Sequence, residues 1–337
     1  MPAALSLSMS ISMSLTGVLA GCGGSVEPPA PNAPRPSNGV SRAPSGDRSV
    51  RAARDRAGAR LISIGQSQLR VTLVPDAFEG AEAQVLAWIE RCARAVAGYY
   101  GAFPVPLLLV EVREADGSSI RGGQAFPSSP PRIAISVGRH ASARAFERNW
   151  SLTHEMVHLA FPNVPSAQHW IEEGLATFVE PIARARAGWI SEEAVWAEWI
   201  ENMPLGLPKP GDGGLDGTDD WGRTYWGGAL FCLVAAVALL EESDGRQGLD
   251  AALRGIVAAG GNISERWPLE RALRAGDAAT GTSALLDTYA AMKDQPVRVD
   301  LGGLWRKLGV ALEAGEIRYD DGAPLASVRR AIVAGMR

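Results

Sequence analysis

Two histidines and a glutamate stand at spacings that suit metal chemistry. Residues 151–160 contain the pattern His-Glu-x-x-His, formed by His154, Glu155 and His158. On a helix, residues four apart lie about 40° from each other around the axis, so both imidazoles can bind one metal ion. A glutamate beside them can act on a water molecule at that metal. The pattern predicts a zinc hydrolase site; the alternative is a pair of satisfied histidines on a core helix.

A catalytic zinc site needs one more protein ligand. Zinc in hydrolases uses three protein ligands and leaves the fourth position to water. The metzincin extension would place Gly and His three and six residues after the motif, where this chain has Phe161 and Val164. That class is therefore rejected. The candidates that follow in the chain are His169, Glu172 and Glu173.

Residues 170–177 read W-I-E-E-G-L-A-T and resemble the W-x-x-E-G-x-A helix of gluzincin peptidases. The resemblance implies that the glutamate before the glycine, Glu173, is the third zinc ligand. Glu172 is the less favoured choice, and His169 is a conceivable ligand. The small residues Gly174 and Ala176 would let two helices approach closely enough to share one ion.

Residues 222–230, G-R-T-Y-W-G-G-A-L, resemble the tyrosine-plus-glycine segment that follows the zinc helices in the glycyl aminopeptidase family. Weaker likeness extends over residues 140–337. The resemblance implies that Tyr225 donates a hydrogen bond to the oxyanion; a core tyrosine on an apolar helix is the alternative. The nearest counterpart of the family's glycine-rich, amine-binding strand is residues 122–125, which lack its glutamate. Exopeptidase specificity therefore stays open.

These residues together predict a zinc-dependent peptidase. Zn²⁺ on His154, His158 and Glu173 would activate a water molecule, with Glu155 as general base and Tyr225 as oxyanion donor, acting on a peptide or protein substrate. The alternative is a catalytically inactive, metallopeptidase-like lipoprotein that serves as an envelope binding or assembly module. The intact Glu155 argues against it, because a purely structural zinc site needs no base.

The first 60 residues differ in composition from the rest. Residues 1–22 end in L-A-G-C and resemble a bacterial lipoprotein signal, which implies cleavage before Cys22, acylation of that cysteine and a lipid anchor in the cell envelope, periplasmic or at the outer surface. Residues 23–60 carry many prolines and seven arginines against three acidic residues, without apolar periodicity. They are predicted to be a disordered tether.

Composition sets wider limits. The 337 residues are 46% hydrophobic, enough for a sizeable core, and the formal charge of −4 argues against nucleic acid as the main partner. Three cysteines exclude a disulfide scaffold. Cys92 and Cys232 lie in apolar helical runs and are expected to be buried; whether they pair stays open.

The hydrophobic patterns predict an α+β fold: a small β-sheet part at residues 61–138, followed by a mostly helical part at 139–337. The resemblance to gluzincin peptidases implies that the helical part is a thermolysin-like zinc peptidase domain. A glycine- and serine-rich loop is expected between the third and fourth strands, and a loop at 206–220 to border the cleft. The motif helix is expected to run unbroken from near Ala141. The expected strands are 61–64, 69–74, 105–112 and 132–137, and the expected helices 79–99, 141–160, 168–186, 224–243, 247–259, 265–275, 282–292, 301–309 and 324–334.

Overall fold

The computed structural model describes residues 53–54, 58–74 and 81–335. The predicted signal, the lipidation site at Cys22 and most of the predicted tether lie outside these residues. The division into a signal, a tether and two subdomains therefore stays a prediction. The described residues share one hydrophobic core, to which both the sheet and the helices contribute.

A six-stranded sheet forms the first part of the fold, with the strand order β1-β2-β3-β4-β6-β5. β3, β4 and β6 run parallel to one another, and the other pairs are antiparallel. Helix α1 (Glu82–Tyr100) packs on the sheet through apolar positions at helical spacing, as predicted. The strands are β1 (Ala53–Arg54), β2 (Arg60–Ile64), β3 (Ser67–Val74), β4 (Leu107–Ala115), β5 (Ile120–Phe126) and β6 (Arg132–Gly138).

The expected glycine- and serine-rich loop is wrong in part, because it contains edge strand β5. Gly122 and Gly123 give this strand no alternation of apolar and polar side chains, so its sequence carries no period-2 signal. Its pairing with β6 shifts register between Arg121 and Gln124, where Gly122 adopts a φ of +68°. An irregularity of this kind bends the strand locally.

The unbroken motif helix is also wrong, since the structure has two helices, α2 (Ala143–Arg148) and α3 (Ser151–His158). Asn149 separates them with an extended backbone, and its Oδ1 accepts hydrogen bonds from Ser151 Oγ at 3.0 Å and Leu152 N at 3.4 Å. Such a side chain caps a new helix in place of continuing the old one. The histidine motif therefore lies on a short helix of its own.

The rest of the described chain is mainly helical, as predicted. A hairpin, β7 (Val310–Glu313) and β8 (Glu316–Tyr319), was not expected; Ala314 and Gly315 turn it with positive φ angles, without the Asn-Gly or Asp-Gly signature of such turns. The helices are α4 (His169–Arg186), α5 (Glu192–Asn202), α6 (Gly228–Glu242), α7 (Leu249–Ala258), α8 (Leu269–Thr280), α9 (Ala284–Met292), α10 (Leu301–Leu308) and α11 (Ala326–Ala334).

One helical stretch, Arg223–Glu242, is long and apolar enough to cross a membrane by length and composition, with a mean hydropathy of 1.6. However, 72% of its most apolar window is buried inside the protein. Residues buried by neighbouring helices are not available to lipid. This stretch is therefore a core helix, as the sequence predicts.

Candidate functional site

Three potential metal ligands meet between α3 and α4. His154 and His158 come from α3, Glu173 comes from α4, and one donor atom of each lies within 4.8 Å of the others. Glu173 Oε2 is 3.2 Å from His154 Nε2 and 3.8 Å from His158 Nε2. Both histidines point the same way, as their spacing of four residues predicts.

This cluster fits a zinc ion by donor type and by spacing. Two imidazole nitrogens and one carboxylate oxygen are a set that catalytic zinc sites use. Donor atoms bound tetrahedrally at 2.0–2.2 Å lie about 3.3 Å from each other. The distances of 3.2 and 3.8 Å from the Glu173 oxygen bracket that value. The residues present can therefore hold zinc without a large rearrangement.

Glycines let the elements around the cluster approach closely. A Cβ atom on Gly174, next to Glu173, would lie 2.3 Å from the backbone of Gly228 at the start of α6. A Cβ on Gly228 would in turn lie 2.2 Å from the Trp170 carbonyl oxygen. Only glycine fits contacts this short. α6 is thereby fixed directly against the helix that carries Glu173.

Glu155 lies beside strand β5. The backbone N–H of Ala125 donates a hydrogen bond to Glu155 Oε2 at 2.7 Å, and a Cβ on Gly123 would lie 2.9 Å from Glu155 Cγ. Burial raises the pKa of Glu155, and Glu173 adds to the rise, whereas His158 and the Ala125 hydrogen bond oppose it. One carboxylate oxygen is thus anchored by the strand.

Tyr225 lies in a π-helical turn, Arg223–Gly227, that leads into α6. π-helical turns of this kind are frequent at functional sites. Its ring is stacked near that of His154, with the centroids 6.3 Å apart. Burial, followed by the negative charge of Glu173, raises the pKa of Tyr225 above its ordinary value. The phenol therefore keeps its proton and remains a hydrogen-bond donor.

Glu172 and His169 occupy different places from Glu173. Glu172 Oε1 accepts the backbone N–H of Val164 at 3.0 Å, and its Oε2 lies 2.7 Å from His169 Nδ1. His169 Nε2 lies 3.2 Å from Glu173 Oε1, the oxygen that faces away from the two motif histidines. The hydrogen bond with Glu172 is the largest cause that raises the pKa of His169, and the hydrogen bond with Glu173 is the next. The pKa of His169 reaches about 10. The structure brings Glu173, and not Glu172, to the histidine pair.

Opposing influences act on Glu173. Burial raises the pKa of its carboxyl, but hydrogen bonds from His154 and His169 outweigh burial, so the net pKa is well below the ordinary value. Burial in turn lowers the pKa of His158, which favours the neutral imidazole that metals bind. The cluster thus combines a charged carboxylate with a neutral imidazole.

The loop at 206–220 is tied to α4 and α9 by Asp216. Trp170 Nε1 donates to Asp216 Oδ1 at 2.9 Å, and the Tyr289 hydroxyl donates to Oδ2 at 2.6 Å. Trp170 lies in the first turn of α4, the helix that carries Glu173. The loop therefore braces the start of α4. The glycines, prolines and aspartates of the loop predict a turn-rich segment but not this contact.

Several contacts at the site were missed from sequence. The Ala125 N–H is a backbone group, so no side-chain pattern announces it. His169 was considered only as a ligand, although its spacings of three and four residues from Glu172 and Glu173 on a helix indicate contact with both. Cys92 and Cys232, expected to be buried, are buried and unpaired.

Comparison with known proteins shows likeness in fold alone. The chain matches no protein-family model and no curated protein sequence. Its fold is mixed α+β, with a small sheet followed by a mostly helical remainder, which confirms the predicted fold class.

The fold is similar to the crystal structure of an aminopeptidase N family protein from Idiomarina loihiensis, with a TM-score of 0.54 and 13% identity over 76% of this chain and 49% of that one. An M1 zinc metallopeptidase from Deinococcus radiodurans matches at a TM-score of 0.42 and 16% identity, over 72% of this chain and 53% of that one. The chain spans about half the length of these proteins.

Proposed function

We propose that this protein is a zinc-dependent peptidase, with His154, His158 and Glu173 as the zinc ligands. The observation that carries the proposal is the meeting of these three donors beside Glu155, which lies on the same short helix, α3, as the two histidines. A purely structural site has no use for a carboxylate held beside it. One solved structure of similar fold is that of an aminopeptidase N family protein, which supports a peptidase function.

Zinc bound by three protein ligands supplies an activated water molecule and polarises a carbonyl oxygen. Glu155 acts as the general base: Ala125 N–H fixes its Oε2, and Oε1 takes the proton from the attacking water and passes it to the leaving nitrogen. Tyr225, as a neutral phenol, donates a hydrogen bond to the oxyanion of the tetrahedral intermediate. His169 holds the second oxygen of Glu173.

The substrate class is peptides or proteins. The counterpart of an amine-binding carboxylate is missing from strand β5, where residues 122–125 read G-G-Q-A. A peptide blocked at its amino terminus distinguishes the two modes of cleavage. Endopeptidase action predicts that the blocked peptide is cleaved, whereas a strict aminopeptidase leaves it intact.

The test of the proposed function combines metal and base. Removal of zinc with a chelator should abolish cleavage of a mixed peptide library, and added zinc should restore it. Glu155→Gln should lower kcat by at least about 100-fold, since general-base catalysis contributes 10²–10⁴-fold. The matched control is Glu241→Gln, an exposed glutamate at the end of α6. Cleavage that survives unchanged in Glu155→Gln would exclude this mechanism, whereas a parent protein that holds no zinc and cleaves no peptide would favour the inactive binding module.

We also propose that the protein is held at a bacterial membrane, on the periplasmic or outer surface, by a lipid on Cys22. The support is the L-A-G-C sequence that ends residues 1–22. Labelled palmitate should be incorporated into the full chain in cells and should be lost in Cys22→Ser. Equal labelling of both proteins, or recovery of the unmodified chain from the soluble envelope fraction, would contradict the anchor.

A further inference from the structure

Four ring side chains form a row across the candidate site. Trp150 contacts His154, with ring centroids 5.4 Å apart. His154 is stacked near Tyr225 at 6.3 Å, and Tyr225 is stacked on Trp221 at 5.3 Å. We call this set the aromatic row. A tryptophan therefore stands at each end, with the motif histidine and the tyrosine between them.

Both end tryptophans are open to solvent. Trp150 is 38% exposed and Trp221 is 40% exposed. Five large apolar side chains are exposed among the residues that the structure describes, and Trp150 and Trp221 are two of them. A third, Leu205, lies near Gly222, the residue that follows Trp221: a Cβ on Gly222 would lie 3.5 Å from the Leu205 Cβ.

An exposed indole gains free energy when another apolar group covers it. Burying a large apolar side chain is more favourable than leaving it in water. Clusters of exposed apolar groups on soluble proteins commonly mark binding surfaces. The aromatic row is continuous with the metal-ligand cluster through His154, so whatever covers the tryptophans lies next to the reacting atoms.

The acidic groups at the site do not favour a basic ligand. Glu173 contacts three histidines, Glu172 is taken up by Val164 N–H and His169, and Glu155 by Ala125 N–H. A lysine or arginine side chain would have to compete for these carboxylates. The two indoles, by contrast, offer apolar and aromatic surface that needs no competing partner to be displaced.

We propose that Trp150 and Trp221, one at each end of the aromatic row, are contact points for large apolar or aromatic side chains of the peptide substrate, adjacent to the bond that is cleaved. This inference rests on the proposed function, because it takes the occupant to be a peptide. It assigns specificity to two residues outside the metal-ligand set. The preferred substrates are peptides with Phe, Leu or a similar residue beside the cleaved bond.

The test measures binding separately from cleavage. The probes are two pentapeptides blocked at both ends, Gly-Gly-Phe-Gly-Gly and Gly-Gly-Asn-Gly-Gly, titrated calorimetrically into the zinc-loaded full chain carrying Glu155→Gln. The Phe peptide should bind at least about tenfold more tightly than the Asn peptide, since buried tryptophans are frequent hot spots. Of the added substitutions Trp150→Ala and Trp221→Ala, at least one should remove most of that preference and leave the binding of the Asn peptide unaffected.

Matched variants guard against misfolding and nonspecific effects. Trp150→Phe and Trp221→Phe keep an aromatic ring and should bind the Phe peptide within about threefold of the parent. Tyr319→Ala removes a similarly exposed ring, 37% exposed on strand β8, and should change nothing. The proposal is overturned if the two peptides bind equally, if neither binds, or if both alanine variants keep the preference.

Cleavage by the parent protein separates this inference from the proposed function. Cleavage of both peptides at equal rates, without a preference in binding, leaves the peptidase assignment standing and removes the proposed contact points. Selective binding of the Phe peptide that depends on the tryptophans, without cleavage of either peptide, supports the contact points and removes the peptidase assignment. If light scattering detects a dimer that the alanine variants dissociate while peptide binding is unchanged, the tryptophans serve chain association and the proposed contact points are wrong.

Discussion

Glu173 and Glu180 lie two helical turns apart on α4, and both are buried, yet their surroundings act in opposite directions. Around Glu173, contacts with three histidines outweigh burial and lower the pKa of the carboxyl. Around Glu180, burial dominates: it raises the pKa to about 8, although Arg184 forms an ion pair with it.

The difference shows what a buried carboxylate needs in order to stay charged. One guanidinium does not offset the loss of water at Glu180, where Glu198 adds further repulsion. Several imidazoles converge on Glu173 and do offset it. A cation site requires the same arrangement. A bound zinc ion would contact the same nitrogen and oxygen atoms that are now joined by hydrogen bonds.

Exchanging each carboxylate for an amide should give the largest contrast. Glu173→Gln should weaken zinc binding by more than about 100-fold, because loss of an outer partner alone costs 10–100-fold. Glu180→Gln should leave the zinc affinity within about threefold, because it touches none of the ligands. Competition with a chromogenic chelator measures both. Equal affinities in the two variants would remove the distinction between the carboxylates.

The close approach of α6 to Glu173 is open to a packing test. Gly174→Ala places a methyl group 2.3 Å from the Gly228 backbone and should lower the free energy of unfolding by about 2–3 kcal/mol. Gly98→Ala, on the exposed side of α1 with open space around it, should raise stability by about 0.5–1 kcal/mol. Denaturant unfolding compares them. A neutral Gly174→Ala would mean that the helices are not in direct contact.

His169 tests how the outer oxygen of Glu173 is held. His169→Ala removes the contact at 3.2 Å from Glu173 Oε1 and should weaken zinc binding by about 10- to 100-fold. Because the side chain is exposed, unfolding should be almost unchanged. His140→Ala, another exposed histidine away from the cluster, serves as the control. Unchanged zinc affinity in His169→Ala would assign this histidine no part in positioning Glu173.

The raised pKa of Glu180 predicts that the free energy of unfolding depends on pH. Its folded-state pKa is raised from 4.5 to about 8, so the folded protein keeps a proton that the unfolded chain has released. The stability contributed by the protonated carboxyl is complete below about pH 4.5 and declines as pH rises towards 8. Relative to Glu180→Gln, the parent should lose up to about 1.4 kcal/mol per pH unit in this window. Parallel pH profiles for the two proteins would contradict the raised pKa.

Much of the fold and site could be predicted because the signals are local and periodic. The spacing of His154 and His158 places both imidazoles on one side of any helix. The apolar positions of α1 and the all-round apolar character of α6 likewise predict buried helices. The likeness of residues 170–177 to gluzincin helices directed attention to Glu173, which the structure places beside both histidines.

Other features depend on contacts that no local pattern encodes. β5 forms because β6 offers an edge to pair with, despite two glycines that give the strand no periodicity. The break between α2 and α3 depends on the rotamer of one asparagine. The anchoring of Glu155 comes from a backbone N–H thirty residues earlier in the chain, which any residue except proline could provide.

X-ray absorption at the zinc edge, recorded on the full chain carrying Glu155→Gln, tests the central claim most directly. The account predicts one zinc per chain with two imidazole nitrogens and one carboxylate oxygen as protein ligands at about 2.0–2.2 Å, and oxygen from water as the remaining neighbour. The imidazole signal should disappear in a variant that also carries His154→Ala and His158→Ala. A protein that holds no zinc, or a zinc signal that survives loss of both histidines, would contradict the account.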